Sequence, residues 1–168
     1  MESLTKQITR VLSVFLIFLM ALIVIDVTWQ VFTRFIINKP SSFTEELAGF
    51  LLIWIGLLGA SYALYTRAHL GIDILTMHLK GRNKIAVEIL IALFIILFAF
   101  FILVLGGLKL VALTFTLRQI SPALGMPMGY VYIVLPLTGV LMIYYSIYRI
   151  LTLFKSTVES VTFNEETR

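Results

Sequence analysis

Long apolar stretches alternate with short polar ones along the chain, and the polar punctuation predicts the elements. After Lys6 and Arg10 an apolar run begins, is interrupted by Asp26 and closes on Arg34. Residues 11–33 at about 1.5 Å per residue cover about 34 Å, enough to cross a bilayer with some tilt. A basic start before an apolar run is also the form of a secretory leader. Here the run is long, and only Asp26, Trp29 and Arg34 follow where a small-x-small cleavage site would stand, so a retained span is expected.

Pro40 ends a short extended link, and Ser42 with Glu45 three residues later has the form of a capping box. A second span is expected over 45–66, of which 47–66 carries no charge. Gly56, Gly59, Ala60 and Ala63 set small residues at helical spacing, which in lipid lets another helix approach closely. Between Arg67 and Lys84 the chain turns polar but keeps Leu70, Ile72, Ile74, Leu75, Met77 and Leu79. That alternation predicts a short amphipathic helix over about 73–80 lying in the membrane surface. Asp73 would cap its start, with Lys80 in its last turn and Gly81 after its end.

A third span is expected over 86–108. No breaker stands between Leu110 and Leu117, so its helix can continue beyond Lys109 toward Arg118. The turn-rich stretch from Ser121 through Pro122, Gly125 and Pro127 separates it from a fourth span over 128–149. Pro136 should kink that span, and Gly139 leaves space at the bend. The tail after Arg149 carries Lys155, Glu159, Glu165, Glu166 and Arg168 and is expected to fray. The fold class is therefore an all-α integral membrane protein: a single domain of four spans plus one surface helix.

Composition agrees. Of 168 residues 60% are hydrophobic and 13% charged, against about 45–50% and about 25% in a soluble domain, and mean hydropathy is +1.03. Cysteine is absent, which excludes disulfides and thiolate metal sites. The formal charge of +4 implies no nucleic-acid partner, because in such a chain the placement of Lys and Arg matters more than their sum. Four spans set both termini on one side. That side would hold nine basic residues (Lys6, Arg10, Arg67, Lys80, Arg82, Lys84, Arg149, Lys155 and Arg168), and the other four: Arg34, Lys39, Lys109 and Arg118. The bias predicts cytoplasmic termini, with the Arg34–Glu46 hairpin outside.

The candidate chemistry is sparse. Glu45 and Glu46 are adjacent, so on a helix they point about 100° apart and cannot face each other as an acid–base pair. Both suit the positive start of a helix, and one is expected to pair with Arg34 across the hairpin. His69, Asp73 and His78 have the spacing H-x3-D-x4-H, but Gly71 interrupts a helix there and no fourth ligand follows, so a solvated surface cluster is favoured over a metal site. Asp26 lies about 12 Å along its helix from Arg34, inside the apolar run, with Gln30 one turn on. An ionised group there is costly unless paired, so it reads either as a proton or ion site or as a partner for a polar group on a neighbouring helix. No nucleophile set, phosphate loop or cofactor site emerges. Interrupted helices with polar groups meeting at mid-membrane, the mark of a self-sufficient transporter, are missing from three of the four spans.

Several motifs together resemble the DctQ-type small membrane subunit of tripartite ATP-independent periplasmic (TRAP) transporters, over nearly the whole chain. Gln30-Val31-x-x-Arg34 is similar to that family's first-helix signature. Phe43-Thr44-Glu45-Glu46-Leu47-Ala48 resembles the start of its second helix, with Phe43 where Trp is usual. Trp54, the Gly56/Gly59/Ala60 run, Arg67-x-His69-x-x-x-Asp73, and the late Ala123-Leu124-Gly125-Met126-Pro127 followed by Pro136 continue the likeness. The resemblance implies a non-enzymatic scaffold without cofactors in the bacterial inner membrane. It would anchor the stationary part of a large multi-span subunit that carries the substrate and sodium sites, while a periplasmic binding protein delivers an organic anion. The quoted residues then become structural or interface positions, and Arg34, Glu45 and Glu46 could help dock the binding protein.

Overall fold

Alternating steps of four and three residues along the first apolar stretch mark one buried seam. Thr5, Thr9, Leu12, Leu19, Asp26 and Thr33 are buried, with Leu16, Ile23 and Gln30 half-buried between them. In the computed structural model, which describes residues 2–37, 41–66 and 82–166 (side chains 3–37, 41–66 and 84–154), this seam belongs to a single helix, α1 (Glu2–Phe35). It packs against α2 (Ser42–Thr66), whose buried Thr44, Leu51 and Leu58 repeat every seven residues. A 3.5-residue period held on both partners is the packing of a left-handed helix pair.

The third span is α3 (Arg82–Phe98), a π-helical stretch Ala99–Gly106, and α4 (Gly107–Thr116) in unbroken succession. Its spacing explains the π turns. Buried Ala92, Ala99, Leu103, Gly107 and Thr114 step by 7, 4, 4 and 7 residues. Two steps of four in succession insert one residue into a 4–3 alternation, and the wider i→i+5 turns absorb it while the seam keeps facing its neighbour. The fourth span comprises α5 (Gly129–Tyr132), a break at Ile133, and α6 (Val134–Glu166). Pro136 has no N–H for the carbonyl four residues back, so a continuous helix would be interrupted here. The break at Ile133 puts Pro136 in the first turn of α6, where a missing N–H is tolerated.

All four spans are long and apolar enough to cross a membrane: Ser3–Phe35, Ser42–Thr66, Lys84–Thr116 and Gly129–Phe154. They do not close into a bundle. The first packs on the second, the second on the fourth and the fourth on the third, while the third makes no backbone approach to the first or second. The helices thus stand in a row, with most large apolar side chains turned outward. In water such a layer would collapse on itself; in lipid an apolar exterior carries no such penalty, and association rests on close packing and interhelical hydrogen bonds. The tightest seam joins the third and fourth spans. A Cβ at Gly107 would stand 2.9 Å from Pro136 Cδ, and one at Gly139 would stand 2.7 Å from Val104 Cγ2 and 3.1 Å from the Ala99 carbonyl. The expected surface helix over about 73–80, with Arg67, His69, Asp73 and His78, lies outside the described residues.

Candidate functional site

At the end of the layer away from the chain termini, Glu46 does something other than pair with Arg34. Its Oε2 accepts hydrogen bonds from the backbone N–H of Ala123 (2.9 Å) and Leu124 (3.0 Å), with the Ser121 hydroxyl beside them. The turn it grips is built for this. The third span ends with Arg118 in the left-handed region (φ 48°), its N–H on Phe115 and that of Gln119 on Thr114, which is the Schellman closure. Ser121 N–H then bonds the Met126 carbonyl at 2.9 Å and Met128 N–H the Gln119 carbonyl at 2.9 Å. Gly125 at φ 66° supplies the reversal, and Pro127 leads into α5. Bent this way, the backbone of 123–124 exposes two N–H groups to one carboxylate.

Arg34 instead lies 5.9 Å over the ring of Phe35, and Glu45 is exposed. The start of α2 also differs from the expected capping box. Ser42 is already helical, Ser41 precedes it, and the Thr44 hydroxyl donates to the Ser41 carbonyl at 2.9 Å. Trp54, half-buried on α2, donates its indole N–H to the Val131 carbonyl at 3.1 Å. That carbonyl belongs to the turn loosened by the break before Pro136, so the second span satisfies a backbone group that the fourth cannot.

Asp26 is 7% exposed in the α1 seam facing α2, with half-buried Gln30 next in the same seam, and its Oδ2 makes no hydrogen bond. Gly56 is exposed and Gly59 half-exposed on α2, and a Cβ at either would meet nothing within 4 Å. The close helical approach expected at these glycines is therefore not made among the described residues; Gly107 and Gly139 make it instead.

Sequence reasoning missed the charges at the opposite end. Glu88, one residue before the uncharged run of 89–108, is 5% exposed and lies 3.5 Å from Nη2 of Arg149, itself 14% exposed. Beside the pair, Thr5 and Tyr144 share a hydrogen bond of 2.9 Å and Thr9 and Tyr145 one of 3.2 Å, tying α1 to α6 across the row. The available signal was complementarity: a lone acid opening one span and a lone base closing the span that packs antiparallel to it.

Trp54, the Glu88–Arg149 pair and the Thr–Tyr bonds each join one span to another, and four apolar spans in a row define a multi-pass membrane protein. The comparisons with known proteins say of which kind. The family described as "Tripartite ATP-independent periplasmic transporters, DctQ component" matches residues 23–156, and the chain belongs to it. It is 26% identical over 155 residues to the sialic acid TRAP transporter small permease protein SiaQ of Vibrio cholerae, covering 92% of this chain and 88% of that one. A putative TRAP transporter small permease protein of Haemophilus influenzae is 26% identical over 141 residues, 84% of this chain and 86% of that one. The isethionate TRAP transporter permease protein DctMQ of Oleidesulfovibrio alaskensis is 31% identical over 134 residues, 76% of this chain but 21% of that one. The chain is thus a small permease subunit of a TRAP transporter, a transport component and not an enzyme, in the bacterial inner membrane.

Proposed function

We propose that this subunit is the scaffold half of a two-part permease. It pairs with a large multi-span membrane subunit for sodium-driven, binding-protein-dependent import of an organic anion such as a dicarboxylate, keto acid or sialic acid. One observation carries the pairing: in the isethionate permease protein the region like this chain is 21% of a much longer polypeptide, so there the larger part is covalently joined to it. The names of the sialic acid and isethionate relatives both contain an organic acid, which supports the anion class. The open row of helices supports the scaffold role, because it leaves the Gly56/Gly59 surface of α2 for helices of a partner. With cytoplasmic termini, the Glu46 clasp and the exposed Arg34 and Glu45 face the periplasm, where they can meet the binding protein, while Arg67, His69 and Asp73 anchor the inner surface.

The test is anion uptake into proteoliposomes holding this chain, its genomic large-subunit partner, or both, with and without the binding protein and a sodium gradient. Uptake should require every component. A second reading, a self-sufficient ion-coupled transporter, draws on the unpaired buried Oδ2 of Asp26. Under the scaffold reading Asp26 is a packing group, and Asp26→Asn leaves the cation dependence of uptake unchanged; altered coupling would favour the second reading.

A further inference from the structure

At the termini-bearing end, a cleft of about 300 Å³ opens between the last turn of α2 and residues 145–153 of α6. Its apolar wall includes Leu64 and Leu153. The polar lining divides by whether its hydrogen-bonding capacity is already used. Thr66 donates to the Tyr62 carbonyl of its own helix at 3.2 Å, Thr152 to that of Tyr148 at 2.9 Å, and the Tyr145 hydroxyl is held by Thr9. The hydroxyls of Tyr65 and Tyr148 carry no hydrogen bond among the described residues. Arg149 meets Glu88 through Nη2 at 3.5 Å, and its Nε has no partner. Among the described residues no carboxylate lines the cleft; Glu88, the partner of Arg149, is not part of its wall. What remains is the part of the Arg149 guanidinium that Glu88 does not take, with two phenol O–H donors, above an apolar wall.

We propose that this cleft is a phosphate-headgroup site, filled by the phosphodiester of a membrane phospholipid whose glycerol and first methylenes lie on Leu64 and Leu153. Tetrahedral phosphate oxygens accept from several directions at once, as Arg149, Tyr65 and Tyr148 require. Arg149 lies within the last turns of the fourth span, Gly129–Phe154, close to where the hydrocarbon gives way to headgroups. Arg10 and Lys84 at the same end add positive potential toward anionic lipid.

Native mass spectrometry of the full chain in non-ionic detergent, titrated with dioleoyl phosphatidylglycerol, tests the proposal against dioleoylglycerol, which has the same chains without phosphate. One phosphatidylglycerol should bind in preference to dioleoylglycerol. Tyr65→Phe with Tyr148→Phe, which keeps the rings and the Glu88–Arg149 pair, should weaken it roughly tenfold or more. Arg149→Lys should weaken it too; should that variant fail to fold, the tyrosine pair alone decides. Displacement of the lipid by millimolar inorganic phosphate would assign the same site to free phosphate, and resistance to it assigns the site to lipid. Equal binding of dioleoylglycerol, or undiminished phosphatidylglycerol binding in the tyrosine double variant, overturns the proposal.

Discussion

Glu46 and Glu88 stand near the N-terminal ends of apolar spans that are consecutive in the chain, at opposite ends of the layer, and meet different partners. Glu46 is held by two backbone N–H groups of a turn that closes the third span, so it needs no cation. Glu88 is nearly sealed and faces the single guanidinium of Arg149. The first arrangement depends on the fold of a loop, because only a correctly bent backbone aims both N–H groups at one oxygen. The second depends on two side chains finding each other across a helix pair. A carboxylate at a membrane boundary can thus lock loop to helix or helix to helix, and the locks should fail differently.

The largest effect is expected at the sealed pair. Glu88→Ala leaves Arg149 buried without its counter-charge and should cost about 3–5 kcal/mol, read as unfolding free energy in detergent. Replacing both, Glu88→Leu with Arg149→Met, should recover most of that loss, because the cost lies in the stranded charge. If the double variant is as unstable as Glu88→Ala, the pair does more than neutralise itself. Next comes the close seam further along the same two spans. Gly139→Val drives methyl groups into Val104, Leu103 and the Ala99 carbonyl and should cost about 1–3 kcal/mol by the same measurement. Gly56→Val, on the open face, should leave the isolated chain's stability unchanged.

At the loop-dependent lock, Glu46→Ala frees two N–H groups that water can reach. The expected outcome is a smaller loss of stability than at Glu88, with faster amide hydrogen exchange at Ala123 and Leu124 and none of that change in α3. Exchange that rises equally in α3 would show that the two ends are not independent. The smallest effect belongs to Trp54→Phe, which keeps an aromatic ring but removes the bond to the Val131 carbonyl. It should cost about 1 kcal/mol and loosen α5 ahead of the break.

The spans were legible because an apolar run long enough to cross a bilayer has few other readings, and the resemblance placed the chain in its family. Residues such as Glu46, Trp54 and Pro136 were picked out, but not what each touches. One of Glu45 and Glu46 was expected to pair with Arg34, since charge pairing is the simplest rule available to sequence; the bent backbone of 123–124 that takes Glu46 is a property of the folded loop. The Gly56/Gly59 stripe announced a close approach, yet which helix approaches is decided by the order of the row, and that places Gly107 and Gly139 at the internal seam instead. Glu88 escaped notice because it flanks the uncharged window, and its meaning appears only when the third and fourth spans are set side by side. The π turns were hidden too, since one added residue in a heptad is visible only after the buried positions are known.

Whether this small permease subunit works by holding a larger membrane partner is decided by affinity purification of the tagged chain from native membranes in mild detergent. One stoichiometric multi-span partner should co-purify, and it should be lost when Gly56→Leu and Gly59→Leu fill the open face of α2 in a chain that still folds. Recovery of the chain alone, able by itself to carry an organic anion into liposomes, would contradict the scaffold role.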